Sequence, residues 1–468
     1  MYNSVFIYGA SDKEFLKELY DNFNISYSIH IFDDIKKDQD HRDLILDNFS
    51  QLPKFNKDAQ KIFIKFYNDH FITFSRMFIR KGTKSDFHED SNHFALYFYS
   101  FYEIIMDKKI DLIIFNSVPH LGPDYILYHI AKIFKIRTVL HYQTIFPKRY
   151  IMINDMEEFG KIKKNIDKTF KIDHTEILKN KNFYVNIQKK FYKNLENKNN
   201  NFIKKITDIL SDKRFIRKKL INLLVKINLI KRVDDEKEYK KNLALYSSKN
   251  EIIENILNTN KKILYFPLQS QPELGPLLAN DFDDQLRVIE KLIGVLGSEW
   301  TIIVKDHPNQ GPYQRKIFFF KRLSNLKNLF IANVNYSSIE LIQKSDIVAS
   351  CFGTSGWEAL INKKKCLLFG NSWYSDLSGV LKVNNNTDDE TILKFINKKF
   401  DEEKFNSDLS NLYGSFYEGY VVGRQWFGKI SKSDVDIEWL DLLEEKYDKK
   451  QNTKKLINNL KNFLENFN

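Results

Sequence analysis

Short apolar runs alternate with amphipathic stretches along this chain, and their lengths set the first expectation. Residues 4–10 (SVFIYGA) form an apolar run of strand length. Ser11 and Asp12, both good helix N-cap types, follow, and KEFLKELYDNF then repeats its apolar positions at helical spacing. Residues 25–32 (ISYSIHIF) predict another strand. The run DLIIFNS (111–117) has the pattern of a strand covered on both faces and breaks at Pro119. Gly122 and Pro123 open the helix DYILYHIAKIFK, and RTVLHYQ (137–143) predicts the next strand. Strand, loop, helix, strand is the βαβ unit of a parallel sheet.

From about 155 to 250 the pattern changes. Lys, Asn, Asp and Glu dominate, Gly and Pro nearly vanish, and apolar residues recur at helical intervals, as in FIRKKLINLLVKINLIKRV. This predicts a helical region between two α/β units. The second unit begins near 258. KKILYFPL predicts a strand running into the loop QSQPELGPLLAND, and residues 282–297 place Leu286, Ile289, Ile293 and Leu296 on one helical face. TIIVK (301–305), LFIANV (329–334), DIVASCF (346–352) and CLLFG (366–370) predict four further strands, with Ser337 and Ser338 starting a short helix. Five strands with intervening helices make a doubly wound domain. The remainder, from about 390, reads as helical and charged. The expected division is therefore an N-terminal α/β domain over 1–155, a Lys/Asn-rich helical region over 156–257, a C-terminal α/β domain over 258–390, and a helical segment over 391–468 that packs back across both.

Composition narrows the function classes. With 468 residues the chain is long enough for two cores, and 43% hydrophobic content with 39 Phe excludes a disordered protein. Cys351 and Cys366 offer neither a disulfide framework nor a metal-ligand spacing, which suits a reducing cytoplasm. The N-terminus lacks a signal-peptide pattern and no run reaches a membrane span, so a cytoplasmic protein is expected. The net charge of +12 is spread over Lys-rich helices and not gathered in an Arg-rich arm, and no nucleic-acid-binding signature occurs. Nucleic acid is therefore not expected as a partner. Peripheral attraction to an anionic inner-membrane surface is compatible with the charge.

The polar clusters fall at the carboxyl ends of the expected strands, where an open parallel sheet binds its ligands. Lys305-Asp306-His307-Pro308 ends one strand. A histidine there can donate to a phosphate oxygen, although a lone His-Pro is also compatible with a capping or core role. Gly353-Thr354-Ser355-Gly356 starts a helix, where free N–H groups, the helix dipole and two hydroxyls suit a phosphate. An ordinary capped turn fits the same residues. Glu358, one turn on, is placed to accept from ribose hydroxyls or simply to suit the dipole. Gln269 and Glu273 follow the first strand of this domain and are candidates for holding sugar or base. In the N-terminal half His120 and Asp124 sit at a strand-to-helix junction, and either is a candidate base for taking a proton from an attacking hydroxyl. Asp124 reads equally as a helix-start residue. No Asp-x-Asp pair stands at a metal position, so a mechanism without metal or other cofactor is expected, with leaving-group charge met by the helix dipole, the hydroxyls and His307.

Taken together, FPLQSQPE, VKDHP, GTSGWEAL and CLLFGNSWY resemble the capsule polysaccharide biosynthesis family, which includes bacterial Kdo transferases. FNSVPHLGPDYILYHIAKIFKIRTVLHYQTIFPKR resembles the same group's upstream motif. The resemblance covers about 110–150 and 260–380. It implies a GT-B-like α/β fold, two Rossmann-like domains facing a cleft, and a glycosyltransferase of surface polysaccharide synthesis. The His-Pro and Thr-Ser pairs also resemble motifs of bacterial sialyltransferases that bind the phosphate of a CMP-sugar. That likeness implies that His307, Thr354 and Ser355 hold the donor phosphate and Glu358 the ribose; Lys305 and Gly353 are further candidates for the donor nucleotide and phosphate. Asp306 departs from the more general pattern without expected consequence. A CMP-sugar such as CMP-Kdo is the favoured donor and a glycan or glycolipid the acceptor. The alternatives are a UDP-sugar transferase or epimerase of the same fold, a polyol-phosphate polymerase, and a non-catalytic partner in polysaccharide assembly or export.

Overall fold

The computed structural model describes residues 2–9, 12–45, 52–54, 56–78, 87–162, 235–270, 282, 284–308, 310, 315–421, 424–426, 436–438 and 448–466. Most of the Lys/Asn-rich helical expectation, residues 163–234, lies outside them. The chain starts with β1 (Val5–Tyr8), α1 (Lys13–Asn22), β2 (Ile25–His30), β3 (Gln39–Asp40), α2 (His41–Ile45), α3 (Lys57–Phe78), α4 (Phe87–Lys108), β4 (Leu112–Phe115), α5 (Pro123–Ile133), β5 (Arg137–Gln143) and β6 (Arg149–Ile153). The helices α6 (Asp235–Tyr246) and α7 (Asn250–Leu257) lead into β7 (Lys262–Pro267), α8 (Gln285–Leu296), β8 (Trp300–Lys305), α9 (Ile317–Ser324), β9 (Leu329–Ala332), α10 (Ser338–Lys344), β10 (Ile347–Ser350), α11 (Thr354–Ile361), β11 (Lys365–Leu368) and β12 (Val380–Lys382). Then come α12 (Asp389–Asn397), α13 (Glu402–Gly414), β13 (Tyr417–Glu418), the pair β14 (Arg424–Trp426) and β15 (Asp436–Glu438), and α14 (Lys449–Glu465).

Two parallel sheets organise these elements. The first has the order β13-β6-β5-β4-β1-β2-β3, parallel from β3 through β5, with β6 and β13 added antiparallel at one edge. The second is parallel throughout, in the order β12-β11-β10-β7-β8-β9. Both place their first strand in the middle and reverse direction beside it, between β1 and β4 and between β7 and β10. This is the doubly wound, Rossmann-like plan, with a switch point in each sheet. The central strands β1, β4, β7 and β10 are apolar nearly throughout and buried because helices cover both faces.

Local chemistry sets the helix starts. Asp12 accepts the Phe15 amide at 2.7 Å, Asp284 that of Leu286 at 3.0 Å, and Ser337 that of Glu340 at 3.2 Å. The face of α8 differs slightly from its sequence reading: Leu292 is fully buried and Ile293 lies at the rim. The sequence reading did not include the helices α3 and α4, whose aromatic faces interlock through Phe66, Phe74, Phe94 and Phe98.

One hydrophobic core joins the two sheets. Phe146, after β5, lies 5.8 Å from Trp357 of α11 and 5.4 Å from Trp373, ring centre to ring centre. Gly160 meets the second sheet closely enough that a Cβ there would stand 1.8 Å from the Ser372 carbonyl oxygen, and its φ of +85° favours glycine as well. The Ile162 amide donates to Asp376 at 3.0 Å. Beyond α13 the chain returns to the first sheet, where β13 pairs with β6 and α14 packs on α1.

Candidate functional site

The switch point of the second sheet gathers most of the polar residues singled out in the sequence. Gln269 follows β7, His307 follows β8 and Gly353 follows β10, and these three strands are neighbours in the sheet. Strand spacing then puts the three ends within about 10 Å of one another. Gln269 lies against Gly353: a Cβ on Gly353 would come within 2.4 Å of Gln269 Oε1 and 2.7 Å of Nε2. Gly353 starts α11 with no side chain to cap it, so the first-turn N–H groups of that helix look to other acceptors, a chemistry that suits an anionic ligand. The hydroxyls of Ser350 and Ser355 are 3.2 Å apart, and Thr354 donates to Glu358 Oε1 at 3.4 Å.

The turn is braced from below. The fully buried Tyr374 places its hydroxyl 2.6 Å from the Gly353 carbonyl and 3.0 Å from that of Phe352. A Cβ on Gly356 would fall 2.4 Å from that same hydroxyl. Burial pushes the Tyr374 hydroxyl well above its usual pKa, which keeps it a donor.

Lys305 ends β8 with its ammonium buried and 3.3 Å from the Val334 carbonyl. Burial lowers its pKa, and the Glu358 carboxylate opposes that shift, so the two groups share one electrostatic environment. A partly desolvated cation beside a helix N-terminus suits a phosphate-bearing ligand. The neighbouring Asp306 is buried and is held by Tyr239, Arg315 and the His307 amide.

At the switch point of the first sheet, His120 and Asp124 meet. Asp124 is buried, and its carboxylate accepts the amides of His120 at 2.8 Å, Leu121 at 2.7 Å and Tyr125 at 2.8 Å. Those bonds fasten the start of α5. His120 is partly exposed, and its Nδ1 lies 2.7 Å from the Val118 carbonyl. A carbonyl only accepts, so Nδ1 carries a proton and any base function of this ring falls to Nε2. Tyr8, at the end of β1, and His41, after β3, share this end of the sheet with ring centres 5.4 Å apart. Burial lowers the His41 pKa, with Asp124 acting against it.

Thus Gln269, Lys305, His307, Gly353, Thr354, Ser355 and Glu358 gather on one sheet and His120 and Asp124 on the other. Glu273 lies outside the described residues. Sequence reading missed Tyr374, Gln285 and Arg315. Gln285 left a faint signal, a polar side chain on the first turn of an otherwise apolar helix face; Arg315 left none.

Residues 204–418 match the family of capsule polysaccharide biosynthesis proteins. The matched range includes the whole second sheet and all of its candidate residues, and it covers the loop motifs of that sheet that carry the resemblance. His120 and the stretch 110–150 lie outside the range. No curated protein matches the chain. Among solved structures the chain is similar to UDP-GlcNAc 2-epimerase of Methanocaldococcus jannaschii, at 14% identity over 88% of this chain and 98% of that one, with a TM-score of 0.27. It is also similar to the β-Kdo 2,7-transferase KpsC of Thermosulfurimonas dismutans, at 16% identity over 39% and 60%, TM-score 0.23. A third likeness is to UDP-GlcNAc 2-epimerase of Neisseria meningitidis, at 14% identity over 88% and 96%, TM-score 0.24. No function is carried over from these likenesses. Among the described residues no helix is long and apolar enough to cross a membrane.

Proposed function

We propose that this protein is a glycosyltransferase of bacterial surface polysaccharide synthesis. On this reading it works in the cytoplasm and moves a sugar from a nucleotide donor to a hydroxyl of a glycan or glycolipid. One observation carries the reading. Within the range that matches the capsule family, a helix N-terminus that starts on a glycine and carries two hydroxyls lies at a switch point, with Gln269 against it and the buried Lys305 ending the strand next but one. A diphosphate or monophosphate ester of a nucleoside fits that chemistry.

In the proposed reaction the acceptor hydroxyl oxygen attacks the anomeric carbon while the bond from that carbon to the donor phosphate oxygen breaks. The hydroxyl proton goes to Nε2 of His120, and the electron pair leaves with the phosphate. The developing charge is met by the first-turn amides of α11, by Thr354 and Ser355, and by His307 and Lys305. Glu358 accepts from ribose hydroxyls. Asp124 holds the His120 loop through its three amide bonds, so among the two candidates the base role goes to His120. A CMP-sugar remains the preferred donor on the likeness of the His-Pro and Thr-Ser pairs. Peripheral contact with an anionic membrane belongs to the same reading, supported by exposed Ile64 and Ile72 beside Lys57 and Lys65 on α3.

A thermal-shift panel with CMP, CDP, UDP and GDP and their sugar conjugates tests the donor assignment, because a ligand of the folded state raises the midpoint by mass action. The expected result is selective stabilisation by CMP or its conjugates. It should be lost in His307→Ala, and both His307→Ala and Glu358→Ala should abolish turnover without a lower midpoint. Stabilisation by UDP alone moves the assignment to a UDP-sugar enzyme, and no response to any nucleotide overturns it.

A further inference from the structure

A buried charged pair sits beneath the donor loops and takes no part in the chemistry proposed above. The side chains of Asp306 and Arg315 are each 1% exposed, with Arg315 Nε 3.5 Å from Asp306 Oδ1. Their other bonds reach three further elements. Asp306 Oδ1 accepts the backbone N–H of His307 at 2.9 Å, and its Oδ2 accepts the hydroxyl of Tyr239 from α6 at 3.0 Å. Arg315 Nη2 donates to the Gln269 carbonyl at 3.1 Å, and the guanidinium lies 4.3 Å from the ring centre of Phe319. Gln285, fully buried at the start of α8, closes the set. Its Nε2 donates to the same Gln269 carbonyl at 3.0 Å, and its Oε1 accepts the Gln269 amide at 2.7 Å.

Core packing does not require such an arrangement. A buried ion pair gives back in attraction little more than it loses in desolvation, and an apolar replacement of the same shape is commonly as stable. What the set supplies is geometry. It fixes the backbone of Gln269 through both its N–H and its C=O, and it fixes the amide of His307. These are the residues that follow two adjacent strands and carry side chains toward the donor end of the sheet, where Gln269 rests on Gly353.

We propose that Asp306, Arg315 and Gln285 are positioning residues for the nucleotide donor, holding the backbones after β7 and β8 so that Gln269 and His307 are ordered before the donor arrives. Ordering in advance removes a cost that binding would otherwise bear. Tyr239 brings α6 into the same network, which ties the helical region to the donor loops. The proposal rests on the donor reading of the previous subsection.

Calorimetric titration of the full chain with CMP and with UDP tests it. Arg315→Lys keeps the charge beside Asp306 but loses the fork that spans Asp306 and Gln269. Gln285→Met fills the same space without the hydrogen bonds, and it carries the test if the lysine variant fails to fold. Leu292→Val, a buried position on the same helix, serves as a purely structural control. Each positioning variant is expected to weaken whichever nucleotide the wild type binds by about tenfold, and the effect of Gln285→Met should largely vanish when Gln269 is already alanine. The control should lower the thermal midpoint and leave the dissociation constant unchanged. Gln285→Met that behaves like the control, or that weakens binding equally in both backgrounds, overturns the positioning role alone. Wild-type protein that binds neither nucleotide overturns the donor reading and this proposal with it.

Discussion

His120 and Asp124 stand four residues apart at the start of one helix, and only the bonds they make separate their roles. Asp124 spends its lone pairs on three amides, whereas the Val118 carbonyl leaves any base function of His120 to Nε2. Asp124→Ala strands three amides and should cost about 3 kcal/mol, since each buried donor without an acceptor costs on the order of 1 kcal/mol or more. Asp124→Asn keeps an oxygen for two of them, so most stability and most turnover should survive. His120→Ala should instead leave the unfolding midpoint nearly unchanged and lower kcat by about 10²–10⁴. Midpoints and kcat values for the three variants decide the matter, and an inactive but stable Asp124→Asn would return the base role to the carboxylate. The sequence displays both candidates because the motif is local. It cannot rank them, because the ranking depends on which backbone groups a loop turns toward each side chain. Arg315 was illegible for the same reason: its meaning lies in Asp306, Gln269 and Phe319, which the fold brings to it.

Elements are read well where one pattern dominates. The buried strands stand out because a four- to seven-residue apolar run between turn residues has few other uses in an α/β chain. The pair α3 and α4 was hidden by composition, since helices crowded with Phe, Tyr and Ile go against intrinsic preference and are held by tertiary packing. Burial inside such elements also leaves a pH signature. His141 in β5 is buried, and desolvation pulls its pKa down to about 4, against a smaller upward effect of its bond to the Phe115 carbonyl at 2.8 Å. The folded state therefore holds this ring neutral, while the unfolded chain takes up a proton near pH 6.5. Its contribution is intact above pH 6.5 and is lost progressively as pH falls toward 4, by about 3 kcal/mol in all. His141→Asn keeps a donor toward Phe115 and removes the titration. Denaturant unfolding at several pH values should show the wild type losing stability relative to the variant between pH 6.5 and 4; parallel profiles would refute the assignment. Burial also lowers the pKa of His30, His41, His70 and His129, so the variant should retain part of the slope.

At the scale of the whole molecule, the proposed base belongs to one sheet and the proposed donor site to the other, so the reaction depends on how the sheets are held. The joint consists of Phe146 among Trp357, Trp373 and Tyr413, the amide of Ile162 on Asp376, and Gly160 pressed on Ser372. None of this shows in sequence as an interface, because each member reads as an ordinary apolar or turn residue, and the two-residue strand β13 is too short to leave a periodic signal. Gly160 is the sharpest probe of the joint. An alanine Cβ there would stand 1.8 Å from a backbone oxygen at a φ of +85°, and a backbone carbonyl cannot swing aside as a side chain end can. Gly160→Ala must therefore push the sheets apart locally, at a cost of about 2 kcal/mol or more. The donor loops are built on the second sheet and meet the joint through Trp357 against Phe146 and Phe352 against Phe159, so nucleotide affinity should fall far less than turnover. Turnover should fall by about 100-fold, because a shift of about 1 Å between base and donor suffices for that. Calorimetry and a turnover assay on the same preparation separate the two effects. Affinity lost in step with turnover would mean that the joint supports the donor loops directly; turnover retained despite a lower midpoint would mean that both reacting partners are held by one sheet.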